Sequence, residues 1–183
     1  MPTTTTEAYV ARSNNSLKLE KVTYADLKDG EVLVDIVASS ICHTDVKAAE
    51  GVFHMKTPLI IGHEAAGYVK SVGPSVTYVK AGDAVILAFA SCGECRRCNS
   101  GKSPYCEKLF QLNFTGKRAG GAEGVVVCEE GEEVKGLFFG QSSMSRIALV
   151  NESCCVKVEC ERDELVLFAS LGCGIETGAG AIL

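Results

Sequence analysis

Short apolar, β-branched stretches alternate with turn residues at regular spacing along this chain, a rhythm that predicts strands rather than long helices. The predicted strands are Ala8 to Arg12, Leu17 to Val22, Glu31 to Ala38, Gly67 to Val72, Ala84 to Ala90, Gly124 to Cys128 and Ser145 to Val150. Lys28-Asp-Gly-Glu31 and Lys80-Ala-Gly-Asp83 supply turn chemistry between them, since Asp and Gly accept the backbone angles of a reversal. Helical spacing is rarer. Thr44 to Gly51 opens on an N-cap candidate, Thr44, and ends on a glycine; Asp163 to Ala169 repeats apolar residues at helical intervals, and a further helical start follows Thr177. The absence of β/α alternation predicts a mainly β barrel or sandwich with short helices.

Composition narrows the partners. With 183 residues, 46% hydrophobic and 22% charged, the chain can build one ordinary soluble core. A formal charge of −5, with basic residues scattered apart from Arg96-Arg97, offers no surface for a phosphate backbone, so no nucleic-acid partner is expected. No apolar run approaches the roughly 20 residues that cross a bilayer, so no membrane partner is expected. Met1-Pro-Thr-Thr-Thr-Thr-Glu7 has neither the basic region nor the apolar core of a secretory signal. A cytoplasmic setting follows as the expectation, in which the ten cysteines are reduced thiols or metal ligands.

Four of them crowd into one loop, Cys92-Gly-Glu-Cys95-Arg-Arg-Cys98 and then Cys106. The spacing suits four thiolates on one tetrahedral ion, and a closed cage of this kind predicts a structural zinc site, in a lobe of about residues 91–112. An iron–sulfur cluster and a disulfide framework are the alternatives. The bacterial ferredoxin run also begins C-x2-C-x2-C, but its fourth cysteine comes four positions on and precedes proline; here Cys106 lies eight positions after Cys98 and precedes Glu107. Disulfides need an oxidising compartment, to which nothing in the sequence points.

A second constellation is Gly62-His63-Glu64-Ala-Ala-Gly67, continuing to Val72-Gly73 and Val76. It resembles the zinc motif of medium-chain alcohol dehydrogenases, and the four-cysteine loop lies where that family carries its structural zinc. Cys42-His43-Thr44-Asp45 and Leu171-Gly-Cys173-Gly-Ile-Glu-Thr177-Gly-Ala-Gly180 add two further matches, in family order, over essentially the whole chain. The resemblance implies a GroES-like β-barrel, here residues 1–183. In the family a Rossmann domain follows. No G-x-G-x-x-G appears in this chain, so it is expected to be a catalytic-domain fragment, truncated before the dinucleotide-binding domain and inactive alone.

Residue by residue, the resemblance implies that Cys42, His63 and Cys173 hold a catalytic zinc whose open position can polarise an alcohol oxygen. Cys92, Cys95, Cys98 and Cys106 would hold the structural one. Thr44 matches the hydroxyl that takes the alcohol proton, besides serving as the helix cap. Asp45 would accept from the His63 ring and fix its tautomer. Glu64 would approach the zinc or tune its field; the alternative is a buried carboxylate paired with a basic residue. His43 matches a contact to the cofactor pyrophosphate, against an ordinary exposed histidine, and Thr177 one to the nicotinamide side.

Phe89 would line the substrate wall, where an aromatic edge can face an aromatic alcohol, or else simply fill the barrel core. Many relatives complete a proton relay with a histidine five positions after the first cysteine ligand. Lys47 stands there instead, and a lysine, already protonated at neutral pH, is a poor acceptor.

His54 is read as having no metal role, Cys128 and Cys160 as core or surface thiols, and Cys154-Cys155 as one side chain in and one out of a strand. Phe89-Ala-Ser-Cys-Gly-Glu-Cys, Asn113-Phe114, Phe138-Phe139-Gly140-Gln141-Ser142-Ser143 and the run from Gly172 resemble the aryl or benzyl-alcohol branch. The implied activity is oxidation of primary, aryl or allylic alcohols to aldehydes with NAD or NADP, by a full-length homo-oligomer. A polyol or aldehyde-adduct dehydrogenase and a stand-alone zinc module are the alternatives.

Overall fold

The structure is a computed structural model and describes residues 4–13, 16–53, 55–118 and 126–183. Its strands are β1 (Thr4–Arg12), β2 (Ser16–Tyr24), β3 (Glu31–Ser39), β4 (Leu59–Ile60), β5 (Ala65–Val72), β6 (Ala84–Leu87), β7 (Val126–Cys128), β8 (Glu133–Val134), β9 (Ile147–Asn151) and β10 (Cys155–Val158). They form two five-stranded sheets, β4-β1-β2-β7-β8 and β10-β6-β5-β3-β9, whose ladders are antiparallel. The sheets are joined where Ala8 bridges Ser145 and where Tyr9 N–H donates to Met144 O at 2.8 Å. These joints leave a nearly closed barrel.

The alternation that predicts β1 also explains which sheet faces meet. Ala8 and Val10 turn inward with Val22, Tyr24 and Leu149, while Tyr9 faces out. In β3 both faces are covered: Leu33 joins that core, and its neighbours Val32 and Val34 pack with Val69, Val85, Leu87 and Val150 on the other side. Val32–Val34 therefore reads as a continuous apolar run, as a doubly covered stretch should, before Asp35 turns out to pair with Lys70. Each fully buried side chain of this size contributes about 1.5–3 kcal/mol, which is ample to fix the register.

The helices are short: α1 (His43–Ala49), α2 (Arg96–Asn99), α3 (Leu109–Phe114), α4 (Arg162–Phe168) and α5 (Glu176–Gly180), with a π-helical turn over Leu171–Ile175 before α5. α4 lays Leu165 on Ala66 and Ile86, closing the outer face of the second sheet. Among the described residues no helix is long and apolar enough to cross a membrane.

Several sequence expectations need correction. The strand predicted to reach Ala90 stops at Leu87, because the next residues leave the ladder and bond to side chains. Cys42, not Thr44, caps α1: its backbone is extended, and the Asp45 carboxylate accepts the Cys42 N–H at 2.9 Å. Cys154 and Cys155 do not alternate in and out. Cys154 ends a 3-10 turn, Glu152–Cys154, just before β10, so both thiols are buried. β4, β8, β10, α2 and α3 were not predicted; they are too short to display a period. His54 and the predicted strand start at Gly124 lie outside the described residues.

Candidate metal centres

Beyond β6 the chain runs through Ala88–Ser91 into the four-cysteine loop. The sulfurs of Cys92, Cys95, Cys98 and Cys106 all lie within 4.8 Å of one another, with Cys95–Cys98 at 3.5 Å and Cys92–Cys98 at 3.9 Å. Tetrahedral zinc with Zn–S bonds of about 2.3 Å requires sulfur–sulfur edges of about 3.8 Å. The spacing fits. Backbone N–H groups point at the sulfurs: Cys95 N donates to Cys92 Sγ at 3.3 Å, and Cys92 N and Lys108 N each to Cys106 Sγ at 3.4 Å. Such donors favour thiolates, and those of Cys98 and Glu107 bring the Cys95 thiol down to about 6. α2 and the turn Ser103–Tyr105 bury no residue, so the loop has no apolar core of its own.

The second cluster gathers residues from distant parts of the chain. Cys42 precedes α1, His63 and Glu64 lie between β4 and β5, and Cys173 sits in the π-helical turn; one donor atom of each lies within 4.8 Å of the others. Gly62 makes this possible. Its φ is +101°, and a Cβ there would stand 2.3 Å from Met144 N, so only glycine lets the chain turn and aim His63 inward. The His63 ring is held by Asp45, whose Oδ1 lies 2.9 Å from His63 Nδ1 and also accepts Gly62 N–H at 3.0 Å. The ring stacks on Phe139 at a centroid distance of 4.6 Å and meets Phe138 edge-on at 5.7 Å.

That arrangement leaves His63 Nε2 buried without a hydrogen bond. An unsatisfied buried polar atom costs about 1–3 kcal/mol, a penalty that ligation of a metal removes. The donors differ in how their surroundings bias protonation. Burial raises the Cys42 thiol, but the N–H and hydroxyl of Thr44 and the nearby His63 ring outweigh it and bring it below its ordinary value. Burial likewise lowers the imidazole, and Asp45 outweighs it upward. Cys173 goes the other way, pushed up to about 12 by burial and then by the charges of Cys42 and Glu64. Two sulfurs and one imidazole nitrogen, with a carboxylate beside them, suit zinc.

Thr44 is half-buried beside Cys42, whereas His43 at the start of α1 and Thr177 in α5 are exposed. Glu64 is buried, and its carboxylate faces Gly174 and Cys173; among the described residues no lysine or arginine forms an ion pair with it. Phe89 is half-buried and lines a groove of about 420 Å³ with Pro104, Leu171 and Gly172. Lys47 is tied to Glu50 at 2.7 Å. Residue-type reasoning missed Phe139, stacked on His63, and Gln141, whose Nε2 donates to His63 O at 3.0 Å. The available signal was the Phe-Phe-Gly-Gln run, which by sequence only resembles a branch of the family.

Residues 28–160 match the alcohol dehydrogenase GroES-like domain. The chain belongs to that family. It is 40% identical over 177 residues to a geraniol dehydrogenase of Castellaniella defragrans, covering 96% of this chain and 46% of the relative. Among solved structures, an alcohol dehydrogenase zinc-binding domain protein from Burkholderia ambifaria superposes with a TM-score of 0.93 at 39% identity, covering 98% of this chain and 48% of that one. Benzyl alcohol dehydrogenase from Acinetobacter calcoaceticus superposes with a TM-score of 0.87 at 34% identity, covering 97% and 47%. The chain spans about half the length of the relatives it matches. The four-cysteine loop, Cys42, His63 and Glu64 lie within the matched residues 28–160, and Cys173 lies beyond them.

Proposed function

We propose that this chain is the metal-binding catalytic part of an alcohol dehydrogenase that oxidises primary aryl or allylic alcohols to aldehydes with NAD or NADP. The observation that carries the reading is the unpartnered, buried Nε2 of His63, converging with the sulfurs of Cys42 and Cys173. Two cysteines and one histidine are the ligand set by which alcohol dehydrogenases in general hold catalytic zinc. A zinc ion in this set would supply Lewis-acid polarisation of an alcohol oxygen.

The chain's own residues prepare that chemistry. Asp45 holds the Nδ1 proton of His63, so that the lone pair of Nε2 faces the cluster. In this reading the Thr44 hydroxyl, which bonds to Cys42, takes up the alcohol proton. Lys47, paired with Glu50, does not receive it. Phe138 and Phe139 flank the His63 ring, and Phe114 packs behind them with Phe139–Phe114 centroids at 5.0 Å, forming an aromatic wall on that side of the cluster. An aromatic wall favours a flat, unsaturated alcohol, and relatives named for geraniol and benzyl alcohol support that class.

The test is cofactor reduction over a panel of aryl, allylic, polyol and short aliphatic alcohols, using a protein of the relatives' full length. Aryl and allylic alcohols are expected to be preferred, and Asp45→Asn to lower turnover about 10–100-fold. The 183 residues alone are expected to give no turnover, because holding the nicotinamide in place can be worth roughly 7–11 kcal/mol of barrier. Preference for a polyol, or inertness of the folded, metal-loaded long protein towards every alcohol, contradicts the reading.

A further inference from the structure

Residues 87–92 run from beside the second cluster into the four-cysteine loop, and each end of this stretch is gripped by a buried amide side chain. Gln141 Nε2 donates to Ala88 O at 2.9 Å and to His63 O at 3.0 Å. One residue earlier, Leu87 lies against the turn that carries Cys173: a Cβ on Gly172 would stand 2.0 Å from Leu87 O. Leu87 and Ala88 thus set the positions of two donors, His63 and Cys173.

The other end belongs to the loop. Asn113 accepts Ala90 N–H at 2.9 Å, and its Nδ2 donates to Ala90 O at 2.9 Å and to Leu109 O at 2.7 Å. Ala90 is therefore tied forward along the chain to Cys92 and sideways to α3, which starts just after Cys106. Gln141 and Asn113 are both fully buried, so water cannot substitute for these bonds.

The loop has little besides its cysteines to order it. Of its four cysteines only Cys106 is buried, and α2 and the turn after it bury nothing, so its order depends on what the sulfurs hold. An ion there fixes Cys92 and Cys106, hence Ala90 and Asn113, hence the backbone on which His63 and Cys173 rest.

We propose that the four-cysteine loop and the Cys42/His63/Cys173 cluster are coupled through residues 87–92, with Gln141 and Asn113 as positioning residues, so that zinc in the loop tightens the second site. The coupling goes beyond the dehydrogenase reading and requires only that both clusters bind metal. It is reciprocal, since each ion must change the other's affinity by the same factor.

The test uses cobalt(II) as the probe on the metal-stripped full chain, with absorption separating the four-sulfur site from the mixed sulfur–nitrogen site. Cys95→Ser is expected to weaken the mixed site about tenfold; an unchanged affinity overturns the proposal. Should Cys95→Ser fail to fold, His63→Ala reads the coupling from the other side: the loop's affinity is expected to fall by the same factor, and an unchanged value overturns it. Gln141→Met keeps the size and removes the donors. It is expected to weaken the mixed site while leaving the loop's spectrum intact, and to make Cys95→Ser cost the mixed site nothing further. A full tenfold effect of Cys95→Ser in that background removes Gln141 from the path. No arm depends on alcohol turnover, so a failure here is separable from a failure of the proposed activity.

Discussion

Three hydrogen bonds converge on the carboxylate of Asp45, from Cys42 N–H, Gly62 N–H and the His63 ring. One buried side chain thereby caps α1, fixes the turn before His63 and sets the imidazole's tautomer. The His63 bond is implied by family resemblance; the other two are invisible in sequence, because a carboxylate's backbone partners have no residue type to recognise. Gln141 and Phe139 escaped for a related reason: amides and aromatics are ordinary core residues until the fold brings them to a ligand. The buried thiols yield a test at this scale. Burial pushes Cys155 up to about 12, so the folded chain keeps its proton while the unfolded chain ionises near the ordinary value of about 8.5. Its contribution to stability is complete below about pH 8.5 and is lost, by about 1.4 kcal/mol per pH unit, as the pH climbs towards the folded value. Urea midpoints for Cys155→Ala are expected to fall less steeply than the parent's between roughly pH 9 and 11. Parallel slopes would mean that this thiol does not contribute.

At the level of elements, the long strands were legible because period two shows in β1 and at the end of β2, while β3 opens on the apolar run Val32–Val34 of a doubly covered strand. The two-residue strands β4 and β8 carry no such period, although β4 leads into His63. The π-helical turn over Leu171–Ile175 was equally hidden, since its shape comes from packing on β6 rather than from local propensity. Gly172 makes that packing possible. Gly172→Ala would drive a methyl group into Leu87 O and lift the turn, taking Cys173 away from Cys42 and His63. The expected outcome is a stability loss of about 1–3 kcal/mol, read by denaturant unfolding, and zinc content falling towards one per chain. Unchanged stability with full zinc would show that the turn is not held by β6.

The whole molecule is a barrel that brings together candidate ligands from three separate segments and carries a four-cysteine loop beyond the end of one strand. Its β character was legible from patterning, and the four-cysteine site from local spacing alone. The second site was not, because Cys42, His63 and Cys173 meet only through the long-range closure of the two sheets and the turn after α4; resemblance to a family supplied what spacing could not. Both clusters have donor atoms within 4.8 Å of one another, and in the second a buried imidazole nitrogen without a partner points at the same place. The most direct measurement is the zinc content of the chain purified without chelator, beside that of His63→Ala. Close to two zinc ions per chain are expected for the parent and close to one for the variant, the ion that is retained being held by Cys92, Cys95, Cys98 and Cys106. Equal zinc content in the two folded proteins would contradict a metal centre at Cys42, His63 and Cys173.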